Sequence, residues 1–132
     1  MTATRIAIVG AGAIGCRIAA HLAQQGEATT LFDGWHEHVD ALNAQGLVLQ
    51  WPDGREERFA ATAHALDAAG PFGEFDIVLL AVRSDATEAL LPLVQRLLAP
   101  AGCVVSCQNG VNEEAIAAAV GPERTLGCSM VF

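Results

Sequence analysis

A glycine-punctuated turn between a strand and a helix constrains this chain more than any other feature. The apolar run Ile6-Ala7-Ile8-Val9 leads directly into Gly10-Ala11-Gly12-Ala13-Ile14-Gly15. Beyond it, Ile14, Ile18 and Leu22 recur at helical spacing. In a G-x-G-x-x-G turn each glycine has a physical reason. The first lets the chain turn tightly, the second lets backbone approach phosphates, and the third lets the helix pack close to the strand. The helix N-terminus then offers N–H groups and a positive dipole end to an anion. Residues Gly10, Ala11, Gly12, Ala13, Ile14 and Gly15 are therefore expected to cradle the pyrophosphate of a dinucleotide. A purely architectural βα turn is the alternative.

An acid follows at the spacing such a cradle needs. The run Ala28-Thr29-Thr30-Leu31-Phe32 ends in Asp33, close to the ~20 residues expected after the glycines. An aspartate at the tip of a second strand accepts hydrogen bonds from ribose hydroxyls and repels a 2′-phosphate, so Asp33 favours NADH over NADPH. No lysine or arginine occurs in Gly34-Trp35-His36-Glu37-His38 to reverse that preference. A solvated turn aspartate before Gly34 is the plainer account.

Strand-like and helix-like segments alternate along most of the chain. That pattern specifies an α/β fold, a Rossmann-type doubly wound, mostly parallel sheet with helices on both faces. Strands are expected over residues 5–9 and 28–32, with helices over 13–25, stopped by Gly26, and 36–45, stopped by Gly46. Residues 47–51 and 55–61 flank Pro52-Asp53-Gly54 and read as a β-hairpin excursion. A short helix is expected over 64–69. The nearly continuous apolar run 76–81 reads as a strand covered on both faces. Leu90, Leu93, Val94 and Leu97 recur at helical spacing, and Pro92 should kink that helix or begin its second piece. A strand over 103–107 follows, then a helix capped by Asn112 with Glu113 and Glu114 at its positive end. A last strand is expected over 126–132.

Length and composition narrow the function classes. The 132 residues suit a single domain, and 52% hydrophobic against 17% charged residues specifies a packed one. A net charge of −8 without any basic cluster argues against nucleic acid or an anionic membrane as partner. No apolar stretch approaches the ~20 residues of a membrane span, and the first strand starts too early to leave room for a secretory signal. A cytoplasmic protein is expected. Cys16, Cys103, Cys107 and Cys128 form no C-x-x-C pair and no metal spacing with the four histidines. They are expected to be buried thiols, and no metal is expected.

In an open α/β sheet, ligands lie beyond the carboxyl ends of the strands, where the strand order reverses. That rule selects residues 10–15, Val82-Arg83-Ser84 and Gln108-Asn109-Gly110. Arg83 suits a phosphate or a substrate carboxylate. Asn109 suits the nicotinamide ribose or the reacting carbonyl, and Gly110 lets ligand and backbone approach. Val82, Arg83, Asn109 and Gly110 thus join the candidate cofactor-binding residues. A helix-start arginine and an ordinary Asn-Gly turn are the alternatives.

These residues together resemble the ketopantoate reductases (2-dehydropantoate 2-reductases). The resemblance runs from Ile6 through the glycine turn to Gly127-Cys128. Its most telling parts are Asp76-Ile77-Val78-Leu79-Leu80-Ala81-Val82-Arg83 and Gln108-Asn109-Gly110-Val111. It implies hydride transfer from NAD(P)H to the ketone of a 2-oxo acid such as 2-dehydropantoate, in pantothenate biosynthesis. By the same resemblance Asn109 is the catalytic residue that orients nicotinamide and substrate, and Arg83 occupies a lysine position. Arginine keeps the charge and binds carboxylates bidentately, but its bulk and geometry differ. Asp33 is a second departure, since family members commonly use NADPH.

The family also carries a second, helical domain that supplies a general-acid lysine and most substrate contacts. This chain is expected to be the NAD(P)-binding domain alone, residues 1–132, without that helical domain. It has no lysine, all seven basic residues being arginines. A ketone accepts hydride poorly without a proton donor, and none of His21, His36, His38 and His64 is expected near the nicotinamide. The chain by itself is therefore expected to be inactive. Two other readings compete: a stand-alone NAD(H)-binding regulatory module, and another hydroxyacid dehydrogenase. A mean hydropathy of +0.37 and a face left uncovered predict a homodimer or larger assembly.

Overall fold

The computed structural model describes residues 3–68, 70–108 and 112–128. Along the chain run β1 (Ile6–Val9), α1 (Ala13–Gln24), β2 (Thr29–Asp33), α2 (His36–Gln45), β3 (Leu47–Gln50), β4 (Glu56–Phe59) and β5 (Thr62–Ala65). They are followed by β6 (Phe75–Leu80), α3 (Thr87–Leu97), β7 (Leu98–Ser106), α4 (Glu113–Val120) and β8 (Thr125–Gly127). Short 3-10 turns precede α3 and β8.

One sheet has the order β5-β2-β1-β6-β7-β8, and every pairing in it is parallel. With the separate antiparallel hairpin β3–β4 left aside, the chain builds outward from β1 to β5. It then returns to the other side of β1, as in a doubly wound sheet. All four residues of β1 are buried, which explains its unbroken apolar run. Alternate residues serve opposite faces. Ala7 and Val9 join Phe32, Val94 and Ile116 in one core, while Ile8 joins Leu31, Val39 and Leu42 in the other. Each face therefore needs its own helices.

Several expectations require correction. The helix expected over 64–69 is absent among the described residues, because Thr62–Ala65 forms β5, with His64 and Ala65 in register with Phe32 and Asp33. Asn43 of α2 holds that backbone from the side. Its carboxamide oxygen accepts the Ala63 N–H and its NH₂ donates to the Ala63 carbonyl, both at 2.9 Å. These distant partners override the helix preference of the alanines. Pro92 does not begin a second piece of α3, which is one helix over Thr87–Leu97 with Pro92 inside it. Burying Leu93, Val94 and Leu97 contributes ~1.5–3 kcal/mol for each side chain, more than the ~3 kcal/mol cost of an interior proline.

β7 starts five residues earlier than the strand expected at Cys103, with a register irregularity against β6 between Phe75 and Ile77. Asn112 stands at the N-cap of α4 but makes no side-chain capping bond, and the Glu113 carboxylate accepts its N–H instead. Cys107 is buried and Cys16 and Cys103 are half-buried, whereas Cys128 is exposed just beyond β8. The last strand is described only as Thr125–Gly127, and residues 129–132 lie outside the described part.

Candidate functional site

β1 and β6 end side by side where the strand order reverses, and the glycine turn leaves β1 at that point. The Ala81 N–H donates to the Val9 carbonyl at 2.8 Å, which fixes the start of the loop after β6 against the turn. Gly10 has φ +107°, and a Cβ there would lie 2.8 Å from the Ala81 carbonyl. A Cβ on Gly15 would collide with the Gly10 carbonyl oxygen. Both glycines are required by packing. Gly12 differs, because a Cβ there would meet no protein atom within 4 Å. It leaves open backbone at the N-cap of α1, whose first turn carries no acid. The first N–H groups of a helix have no partner within it, so this end is suited to an anion.

Two clefts flank the turn. One, about 350 Å³, is lined by Ala11, Gly12, Ala13, Cys16, Asp33, Trp35 and His38. Asp33 Oδ1 accepts the Ala11 N–H at 2.9 Å, and Oδ2 accepts the Trp35 N–H at 3.0 Å. Each carboxylate oxygen retains acceptor capacity for a second donor. The Ala11 carbonyl is turned inward, where His38 Nε2 lies 2.6 Å away and the Cys16 thiol donates at 3.1 Å. A carbonyl only accepts, so the His38 proton sits on Nε2. Burial, and secondarily the Asp33 charge, push the Cys16 thiol up from its ordinary value and keep it a donor. Trp35 is 64% exposed and stacks on His38 with ring centres 5.4 Å apart.

The other cleft, about 460 Å³, is lined by Ile14, Ala81, Val82, Arg83, Asp85, Cys107 and Gln108. Arg83 projects into solvent, its Nε 3.6 Å from Asp85. Burial first, and then the neighbouring Cys128 thiol, push Cys107 up to about 11. It remains a neutral thiol at physiological pH. None of His21, His36, His38 and His64 lines this cleft.

The structure thus gathers Gly10, Ala11, Gly12, Ala13, Ile14, Gly15, Asp33, Val82 and Arg83 around one turn. Asn109 and Gly110 lie outside the described residues. Sequence reasoning missed Trp35 and His38. The Trp-His-Glu-His stretch after Asp33 was legible only as lacking lysine and arginine, and its placement beside the turn depends on how α2 packs.

A parallel sheet of this order, with a glycine turn at its switch point, defines a Rossmann-type domain. The chain belongs to the ketopantoate reductase PanE/ApbA family, whose model matches residues 6–132. It is 36% identical over 107 residues to the 2-dehydropantoate 2-reductase of Mesorhizobium japonicum, covering 81% of this chain and 32% of that protein. It is 34% identical over 113 residues to that of Pyrococcus horikoshii, covering 85% of this chain and 35% of that protein. The chain therefore spans about a third of the length of these relatives.

Among solved structures it is similar to D-mandelate dehydrogenase in ternary complex with NADH and anilino(oxo)acetate. That match has a TM-score of 0.85 and 28% identity over 96% of this chain and 40% of the other. It is also similar to 2-dehydropantoate 2-reductase from Geobacter metallireducens, with a TM-score of 0.79 and 29% identity over 93% of this chain and 40% of the other. Among the described residues, no helix is long and apolar enough to cross a membrane.

Proposed function

We propose that this chain is the NAD(P)-binding domain of a cytoplasmic ketopantoate-reductase-like oxidoreductase. The reaction is hydride transfer from NAD(P)H to the ketone of a 2-oxo acid such as 2-dehydropantoate, yielding a 2-hydroxy acid. One observation carries this reading: two clefts flank the glycine turn, one holding Asp33 and the open Gly12, the other holding Arg83 with Asp85 beside it. That sequence of groups fits an extended dinucleotide. Asp33 accepts from the adenosine ribose hydroxyls, the backbone at Gly12 and the first turn of α1 hold the pyrophosphate, and the cleft beside Val82 and Arg83 takes the nicotinamide end. The cofactor, when bound, supplies the hydride. Arg83 is suited to a carboxylate, and Asn109 orients nicotinamide and substrate.

The chain has no lysine and no histidine lines the second cleft, so the general-acid lysine that the family resemblance implies is missing from it. The chain alone is expected to bind cofactor without turnover. Thermal unfolding tests the binding. NADH at about 100 times its Kd should stabilise the fold by ~2.7 kcal/mol, read as a rise of several degrees in Tm. An unchanged Tm at millimolar NADH and NADPH would remove the cofactor reading.

A second reading has its own support. The D-mandelate dehydrogenase similar to this chain was solved with NADH and anilino(oxo)acetate. Under that reading the substrate is a 2-oxo acid other than 2-dehydropantoate, consistent with Arg83 in a lysine position and with NADH favoured by Asp33. Self-association also belongs to the proposal. Ile14, Ile18 and Leu22 line an apolar groove on α1, and light scattering at micromolar concentration should give a homodimer or larger species rather than a monomer.

A further inference from the structure

The second cleft has two walls from different parts of the chain, and one buried side chain joins them. Gln108 follows β7. Its Nε2 donates to the Val82 carbonyl at 3.0 Å and to Thr87 Oγ1 at 2.6 Å, and it lies 3.4 Å from the Arg83 carbonyl. Its Oε1 accepts from Ser106 Oγ at 3.0 Å. A carboxamide has two N–H donors, so both are committed to the loop after β6 and to the first residue of α3. Gln108 and Thr87 are both buried.

The loop it holds is otherwise fixed at its two ends, by the Ala81 N–H on the Val9 carbonyl at 2.8 Å and the Ala86 N–H on the Arg83 carbonyl at 3.0 Å. Ala81, Val82 and Arg83 lie between β6 and a 3-10 turn, outside regular structure. Yet Val82 Cγ1 stands only 3.0 Å from where a Cβ on Gly10 would sit, so the position of this loop determines how the second cleft meets the glycine turn.

We propose that Gln108 is a positioning residue for the nicotinamide half of the cleft. It sets the Val82-Arg83 peptide against Ile14 and the glycine turn, and so presents Arg83 to what binds there. The proposal rests on the cofactor reading of the clefts. The adenosine half depends on Asp33, Ala11 and His38, which Gln108 does not touch, and this separation makes the role testable.

The test titrates the full chain with NADH and, separately, with ADP-ribose, which keeps the adenosine and pyrophosphate but lacks nicotinamide. Gln108→Glu keeps the shape and replaces the NH₂ donor with an acceptor. Thr87→Val keeps the shape on α3, does not line the cleft, and removes the hydroxyl that receives one N–H. Both variants should bind ADP-ribose within about twofold of the parent, with Gln108→Glu weakening NADH by about tenfold or more and Thr87→Val in the same direction by a smaller factor. Unchanged NADH affinity in folded Gln108→Glu would overturn the proposal and leave the cofactor reading standing. A parallel loss of both ligands in Thr87→Val would overturn it too, since that marks a brace for the whole fold. A parent chain that binds neither ligand would overturn both.

Discussion

Asp33 and Ala11 form one unit: the carboxylate at the tip of β2 accepts the N–H of the glycine turn at 2.9 Å. The acid therefore orders the turn as well as lining the cleft proposed for the ribose. Asp33→Asn keeps an oxygen for Ala11, gives up the acceptor of the Trp35 N–H and removes the charge. It should weaken NADH binding by about tenfold, or 1.4 kcal/mol, and narrow any preference over NADPH. Asp33→Ala should in addition destabilise the fold by about 1–2 kcal/mol, for two partly exposed charge-assisted bonds. Fluorescence titration and urea unfolding measure the two effects separately.

The glycines of the turn should separate binding from stability. A methyl at Gly15 collides with the Gly10 carbonyl, so Gly15→Ala should cost about 1–3 kcal/mol through overpacking between α1 and β1. A methyl at Gly12 meets no protein atom. Gly12→Ala should leave the urea midpoint nearly unchanged and weaken dinucleotide binding. Equal stability losses in the two variants would contradict this division.

The clamp of Asn43 on Ala63 makes its own prediction. Asn43→Ala removes two hydrogen bonds of 2.9 Å to the backbone of one residue on the sheet edge, at ~1 kcal/mol each. Hydrogen exchange should then quicken in β5 well beyond its change in β1 or β6.

Alkaline pH reports on Cys107. Its thiol is pushed up from 9.0 to about 11, by burial first and by Cys128 second. Below the unfolded value both states hold the proton and the contribution to stability is complete. As pH rises from about 9 to 11 the unfolded thiol ionises first, so the native state loses stability across that window. Cys107→Ala should lose less Tm than the parent between pH 8.5 and 10.5. Parallel Tm curves would show that Cys107 is not the titrating group.

Much of this architecture was legible because its signals are local. Three glycines in six residues, an apolar run on each side of a switch point and an acid at the end of β2 are all short-range patterns. β5 was not legible, because Thr-Ala-His-Ala has weak strand character and owes its conformation to β2 and Asn43. The start of β7 was hidden by Ala99-Pro100-Ala101-Gly102, which reads as a loop until β6 is placed beside it. Gln108 could be placed in a loop at the carboxyl edge, but its brace to Val82 and Thr87 depends on how α3 packs. Trp35 and His38 reach the first cleft only through the fold of α2 beside the turn.

The central claim is that the turn at residues 10–15, with Asp33, holds a dinucleotide and favours NADH. A paired fluorescence titration of the purified chain with NADH and NADPH tests it most directly. The account predicts saturable NADH binding with NADPH weaker by about tenfold, or 1.4 kcal/mol. Tighter binding of NADPH would contradict the role given to Asp33, and no binding of either would contradict the claim itself.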